Sequence, residues 1–281
     1  MLNLLSTRLT THQLYIHENK INPMELIKLS PTEFPLFERV SQSEPEKYHF
    51  LQMDKILYPE DVHIYLVVDK KNIIQAMVGD YPNWEEIHLI GNEDAIKSII
   101  NKVNLDRNRI FFPKKLYSYF HELMLPPHLF EDHIRYLHDK ESFGSKRPQK
   151  GILKKLTDKD TLRIQNVLCS ANPELWRDYI PKFHGNRFWF GLEGHEGKLI
   201  SVAGGWIECN TSFFVAIATH QNYQRRGYAY DMLSQLISVL YNESKNVLVE
   251  TTRDNTAACA LYEQLGFLPK YEFMVIHKKP T

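Results

Sequence analysis

From Ala229 onward the apolar positions Ala229, Met232, Leu233, Leu236, Ile237 and Leu240 recur at spacings of three and four, while Asp231, Ser234, Gln235 and Ser238 fall on the other side. That period predicts an amphipathic helix with one face committed to a core. Ahead of it runs SFFVAIAT, Ser212 to Thr219, an unbroken apolar run that suits a strand covered on both faces. Read the same way, the second half of the chain predicts a short strand GILKKL, a helix from Asp158 and a second helix around Pro173 to Phe183. The strands RFWFGLE and KLISVAGGWI follow, joined as a hairpin through EGHEG; beyond the Ala229 helix come the strand NVLVETT and a helix from about Asn255 to Leu265.

The first half echoes this plan. MELIKLSPTEF has the strand-then-helix pattern of GILKKLTDKDT, HIYLVVDKKNIIQAMVGD reads as a second hairpin, and EEIHLIG runs directly into a helix NEDAIKSIINKV. Between the halves, HDKESFGSKRPQKG is polar and carries Gly144, Pro148 and Gly151, so it reads as a linker. The expected units are residues 1–147 and 148–281, an α/β chain of two related parts, with an unrelated first domain as the alternative. His121, His128, His133 and His138 lie close together but form no HExxH pair, and the acids around them read as faces of polar helices. No metal site is expected there.

Composition narrows the partners. The 281 residues carry 34 Lys+Arg and 34 Asp+Glu, so no global field points to nucleic acid or an anionic membrane, and neither is expected as a partner. The start MLNLLSTRLTTHQL lacks a basic stretch, long apolar core and small-residue cleavage site, and no later run approaches ~18 apolar residues. A cytoplasmic protein, monomer or homodimer, is the expectation. Cys169, Cys209 and Cys259 are widely spaced and fit reduced thiols that pack as buried small hydrophobes.

The segment HQNYQRRGYAYDML, His220 to Leu233, joins the apolar strand to the helix. A helix beginning there points its first, unpaired N–H groups out at the end of the sheet, and those groups with the helix dipole favour an anion. Gly227 admits close approach to backbone, and Arg225 and Arg226 add forked donors, so a pyrophosphate fits. Alone, the QRRG string reads rather as a solvated helix start. Neither GxGxxG nor GxxxxGK[ST] occurs, which argues against a dinucleotide fold and a P-loop.

QRRGYA, Gln224 to Ala229, resembles the (Q/R)xxGx(G/A) loop of the GNAT superfamily of N-acyltransferases, and DNTAACALYEQLGF resembles that family's closing motif through Asn255, Ala258, Leu261, Tyr262, Gly266 and Phe267. VAIATHQNY stands where the family has its central strand. The resemblance covers roughly Pro148 to His277. Ala229 replaces the commoner glycine, and Gln221 stands where a proline is common.

The resemblance implies a mixed, mostly antiparallel sheet flanked by helices, with the first half as a degenerate copy lacking the loop. It implies acetyl-CoA as cosubstrate, with the backbone of Ile217, Ala218 and Thr219 pairing with the pantetheine arm. Gln224, Arg225, Arg226, Gly227, Tyr228 and Ala229 would hold the pyrophosphate, and Asn255 would touch the carrier besides capping its helix. Tyr262 would protonate the departing thiolate, where periodicity alone makes it a core aromatic. Amides near Ala218 and Thr219 are the implied oxyanion donors.

A base must deprotonate the amine, and Glu208 and Glu250 are the carboxylates nearest the expected cleft; solvated turn and outward strand position are their plain readings. Trp206 and His220 are further candidates for lining the acceptor site. The implied activity is acetyl transfer to a small-molecule amine or a protein amino group. Two alternatives stand beside it: a CoA-binding regulator without turnover, and an aminoacyl transferase built from tandem copies of the fold.

Overall fold

The computed structural model describes residues 24–124, 128–142 and 149–278. The opening stretch MLNLLSTRLTTHQL and the boundary at Pro148 lie outside the described residues. The first half runs β1 (Glu25–Lys28), α1 (Phe34–Ser43), α2 (Pro45–Leu57), β2 (His63–Val68), β3 (Ile74–Tyr81), β4 (Glu86–Gly91), α3 (Glu93–Ile99), β5 (Arg109–Pro113), α4 (Tyr117–Leu123) and β6 (His128–His138). The second half repeats that order as β7 (Ile152–Lys155), α5 (Thr161–Ala171), α6 (Pro173–Trp176), β8 (Arg187–Glu193), β9 (Leu199–Glu208), β10 (Thr211–Thr219), α7 (Tyr228–Leu240), β11 (Asn246–Thr252), α8 (Thr256–Gln264) and β12 (Phe267–Lys278).

All these strands join one sheet in the order β1-β2-β3-β4-β5-β12-β6-β11-β10-β9-β8-β7. Pairing is antiparallel except at β4–β5 and β10–β11. The last strand of each half crosses over: β12 pairs with β5 of the first half, β6 pairs with β11 of the second, and β6 and β12 lie side by side. These two long strands, side by side at the centre, make one continuous sheet of the two halves.

Helices cover the faces in an alternating scheme set by strand periodicity. On one face Ile134, Tyr136, Phe214 and Val249 pack with Met232, Leu236 and Ile237 of α7 and with Tyr262 of α8. On the other, Ala216, Ala218 and Val202 pack with Ile164 and Leu168 of α5. The apolar stripe read from Ala229 is buried as expected at Met232, Leu233, Leu236, Ile237 and Leu240.

Two local readings change. Of the acids near the histidine group, Glu122 stands on α4 as expected, but Glu131 and Asp132 stand on β6, not on a polar helix: Glu131, His133 and Arg135 alternate with Ile134 and Tyr136, the period of a strand. The helix expected over Pro173 to Phe183 ends at Trp176, and the apolar residues beyond it, Tyr179 and Phe183, pack as irregular chain against the α5 core.

Candidate functional site

The two central parallel strands of the second half pair for only three residues, Thr211–Phe213 against Asn246–Leu248, and then part. A bulge in β10 between Phe214 and Ala216 turns the strand at that point. Beyond it Ile217, Ala218 and Thr219 bond to Ala203, Val202 and Ser201 on β9, which leaves their other edge unpaired. That edge faces a cleft of about 890 Å³, walled opposite by Val249, Glu250 and Thr251 of β11 and by Asn255 and Tyr262 at and within α8.

At one end of the cleft lies the start of α7. Its N-cap, Gly227, adopts φ +81° and supplies no side chain to the first turn. Among the described residues, no acceptor meets the amides of Tyr228 and Ala229. The corresponding helix of the first half differs. There Asn92 caps α3 and accepts from the amides of Asp94 and Ala95, so those donors are already satisfied. Gln224, Arg225, Gly227, Tyr228 and Ala229 line the cleft, and Gln224 donates to the Thr219 carbonyl, tying the loop to the strand end. Arg225 sits at φ +60°, a strained conformation for a residue with a side chain. Arg226 is not among the lining residues; its guanidinium lies over the Tyr223 ring and its carbonyl accepts from Lys150.

Tyr262 is 6% exposed, yet its side chain lines the cleft and its hydroxyl meets no partner among the described residues. Burial, with Cys259 beside it, raises the phenol above its ordinary value. Asn255 accepts from the Ala258 amide as the N-cap of α8 while also lining the cleft, so the capping and contacting positions coincide.

The two candidate carboxylates separate. Glu208 lies at the far end of β9, paired with Thr211 and taking a hydrogen bond from Asn186, and does not line the cleft. Glu250 does line it. On β11 its neighbour Val249 faces α7 and α8, so Glu250 points to the other face, where α5 and α6 lie. Burial would raise its pKa, but Arg135, at 2.7 and 3.0 Å, and His133 outweigh that and hold it below the ordinary carboxylate range. Tyr262 and Glu250 therefore approach one gap in the sheet from opposite faces.

Trp206 is outside the cleft. It stacks on Phe213 at 5.2 Å and meets Phe50 of α2 edge-on, a packing role. His220 caps the turn after β10 by accepting from the Asn222 amide. Sequence reading missed Asn172, Leu175 and Trp176, which line the cleft, and Arg135 and His133, which reach Glu250 from the first half. The alternation of charged and apolar residues on β6 was the available signal. The three cysteines are free and partly exposed. Among the described residues, no group of three or more His, Cys, Asp and Glu side chains is arranged to hold a metal, and no helix is long and apolar enough to cross a membrane.

The residues present suit an extended carrier with a pyrophosphate. An unpaired strand edge meets an amide-bearing arm, uncapped helix amides meet an anion, and a glycine at positive φ lets them meet closely.

Residues 158–267 match the model of the Acetyltransferase (GNAT) family. The whole architecture has counterparts. A GCN5-related N-acetyltransferase from Sphaerobacter thermophilus aligns at 11% identity over 92% of this chain and 96% of its own, with a TM-score of 0.59. A Drosophila protein aligns at 10% identity over 91% and 99%, with a TM-score of 0.61. An acetyltransferase of the GNAT family from Colwellia psychrerythraea aligns at 12% identity over 91% and 100%, with a TM-score of 0.53. At these identities the likeness is one of fold. A search of curated proteins finds no significant match.

Proposed function

We propose that this protein is an acetyl-CoA-dependent N-acetyltransferase that acts on a primary amine, of a small molecule or a protein. The observation that carries the reading is the divergence of β10 from β11, with an uncapped α7 N-terminus at one end of the gap and Tyr262 and Glu250 on its two faces. The family match over residues 158–267 supports acyl transfer.

Acetyl-CoA, when bound, supplies an activated acyl group as a thioester. The free edge of Ile217, Ala218 and Thr219 would orient the pantetheine arm, and amides near Ala218 and Thr219 would donate to oxygen as it gains charge. Gln224, Arg225, Gly227, Tyr228 and Ala229 would take the pyrophosphate, with Arg226 held close by through its carbonyl. Tyr262 would give its proton to the leaving sulfur, and Glu250 would take one from the amine. Glu208 has no part in this scheme, because it stands outside the cleft. The first half, whose α3 amides are capped by Asn92, serves in this reading as a GNAT-like copy without a carrier site. Its boundary with the catalytic unit is taken at Pro148, and no nucleic acid or membrane enters the scheme.

The test is a steady-state CoA-release assay on the full chain with a panel of amines, beside calorimetric titration with acetyl-CoA. Saturable binding and amine-dependent release are expected. Binding without release for any amine would instead make the protein a CoA-binding regulator. Absence of binding, with salt-sensitive tRNA binding in its place, would favour aminoacyl transfer.

A further inference from the structure

Strand β6 brings a line of titratable side chains from the surface of the first half to the cleft of the second. Glu250 faces the cleft; His133 Nδ1 is 3.4 Å from its Oε1. The other ring nitrogen, His133 Nε2, is 3.1 Å from Glu131 Oε2, and His277 Nε2 of β12 lies 3.1 Å from the same oxygen. Along this line the side chains are 22%, 17%, 38% and 33% exposed at Glu250, His133, Glu131 and His277, so the line runs from a screened interior out to water.

Two features make the arrangement more than a surface ion pair. His133 Nδ1 is buried and, among the described residues, has no hydrogen bond in proper geometry, although a carboxylate oxygen stands 3.4 Å away. A buried ring nitrogen without a partner is costly, and Glu250 Oε1 stands where a shared proton would satisfy both atoms. Arg135 fixes the second oxygen of Glu250 through Nε and Nη2, and is itself anchored by the Glu46 carbonyl and by the rings of Phe50 and Phe273. Oε1 is thereby presented between the cleft and the imidazole. His133 stacks on Phe273, which holds its ring in that plane.

We propose that the exchanged strand β6 carries the proton shed by the acceptor amine out of the cleft, from Glu250 to His133, then to Glu131 and solvent. The proposal rests on the acetyltransferase reading above. An ammonium acceptor that becomes an amide while the thiolate becomes a thiol releases one net proton. In the relay the amine N–H breaks as an O–H forms on Glu250 Oε1. That proton moves to His133 Nδ1, restoring the carboxylate, and the Nε2 proton passes to Glu131 Oε2 and on to water. His133 is a positioning and relay residue; Glu250 is the group that touches substrate.

The electrostatics agree with a ring poised for exchange. Burial lowers the pKa of His133, but Glu250 and Glu131 outweigh burial and raise it. The titratable and charged groups facing the ring are Glu131 and Arg135 on β6, Glu250 on β11 and His277 on β12. Farther along that face stand His88 of β4, Lys47 of α2 and Arg109 of β5. Asp132 and Glu272 each pair with Arg253 on the opposite face.

The test uses the full chain and two readouts. In His133→Gln, kcat is expected to fall ~10- to 100-fold, with unchanged KM for acetyl-CoA and unchanged melting temperature, and added imidazole should restore part of the rate. The acid limb of the kcat profile should move down towards the carboxylate range, because the titration belongs to the coupled pair in the wild type. Independently of turnover, an NMR titration of the His133 ring should show its pKa falling in both Glu250→Gln and Glu131→Gln. Wild-type kcat and an unmoved limb in folded His133→Gln, or a ring pKa indifferent to both carboxylates, would overturn the relay and leave the acetyltransferase reading standing. Absence of CoA release by the wild type with every amine would instead overturn that reading, and the relay with it.

Discussion

The ring of Tyr262 packs edge-on against Tyr136 at 5.7 Å and tilted against Phe267 at 5.9 Å, so Tyr262→Phe keeps every ring contact and removes only the oxygen that faces the cleft. The melting temperature is expected to change little, while kcat should fall ~10²–10⁴-fold if the phenol acts as an acid. A thioester with a more acidic thiol needs that proton less and should recover part of the rate. Near-normal kcat, under conditions where chemistry limits turnover, would make Tyr262 a core aromatic only. A second residue titrates far from the cleft. Asp54 of α2 is buried and accepts from Tyr81 at 2.9 Å; burial pushes its pKa up to about 7, with the Tyr81 bond opposing. Its unfolded value is about 4. The native state therefore holds the proton more tightly, and the stability this group contributes is full below pH ~4 and lost as pH rises through 7. Asp54→Asn should flatten the dependence of melting temperature on pH between ~4 and 7, and should raise stability relative to wild type at pH 8 more than at pH 5. Parallel curves for the two proteins would show that Asp54 does not titrate there.

At the scale of elements, the turn from β10 into α7 is the part most exposed to a single substitution. Gly227 holds φ +81°, and a Cβ there would come within 3.2 Å only of the Lys150 ammonium, the end of a long side chain, so conformation and ligand approach oppose a side chain more than packing does. In Gly227→Val the left-handed conformation costs ~1–2 kcal/mol and the isopropyl group stands where a phosphate would approach. CoA affinity is expected to drop at least ~10-fold with the fold retained, measured by calorimetry beside circular dichroism. Unchanged affinity would remove the loop from the site. This turn and its helix were legible in the sequence because strand, glycine and stripe are local patterns. The hairpins and the α8 cap at Asn255 were legible for the same reason. Strand β6 was not, since its charged face reads as solvent-exposed until β11, β12 and α2 are placed around it. Glu208 and Glu250 were indistinguishable for a related cause: each ends or sits in a strand, and only the opening between β10 and β11 puts one at the cleft and leaves the other at a distant turn.

At the scale of the whole molecule, the exchange of β6 and β12 decides what can be separated. A fragment of residues 149–278 keeps β7 to β11 but loses β6, the partner of β11 over Leu248–Thr252. It also strands β12, both of whose neighbours, β5 and β6, belong to the first half. Ile134 and Tyr136 leave the core shared with α7 and Tyr262, and Met274 and Ile276 leave the core they share with Phe112 and Phe120. Each fully buried side chain of this kind is worth ~1.5–3 kcal/mol, so the four together rival the ~5–15 kcal/mol net stability of a domain. The bare edge of β11 and the unpaired β12 would further invite intermolecular pairing. The fragment is therefore expected to be unfolded or aggregated by circular dichroism and size-exclusion chromatography, and not to bind CoA, despite holding every residue of the proposed carrier site. Supplying residues 24–142 in trans should restore a soluble complex that binds. If the fragment alone melts cooperatively within a few degrees of the full chain, the exchanged strands do not couple the halves in solution, and Arg135 and His133 would lose their claim on Glu250.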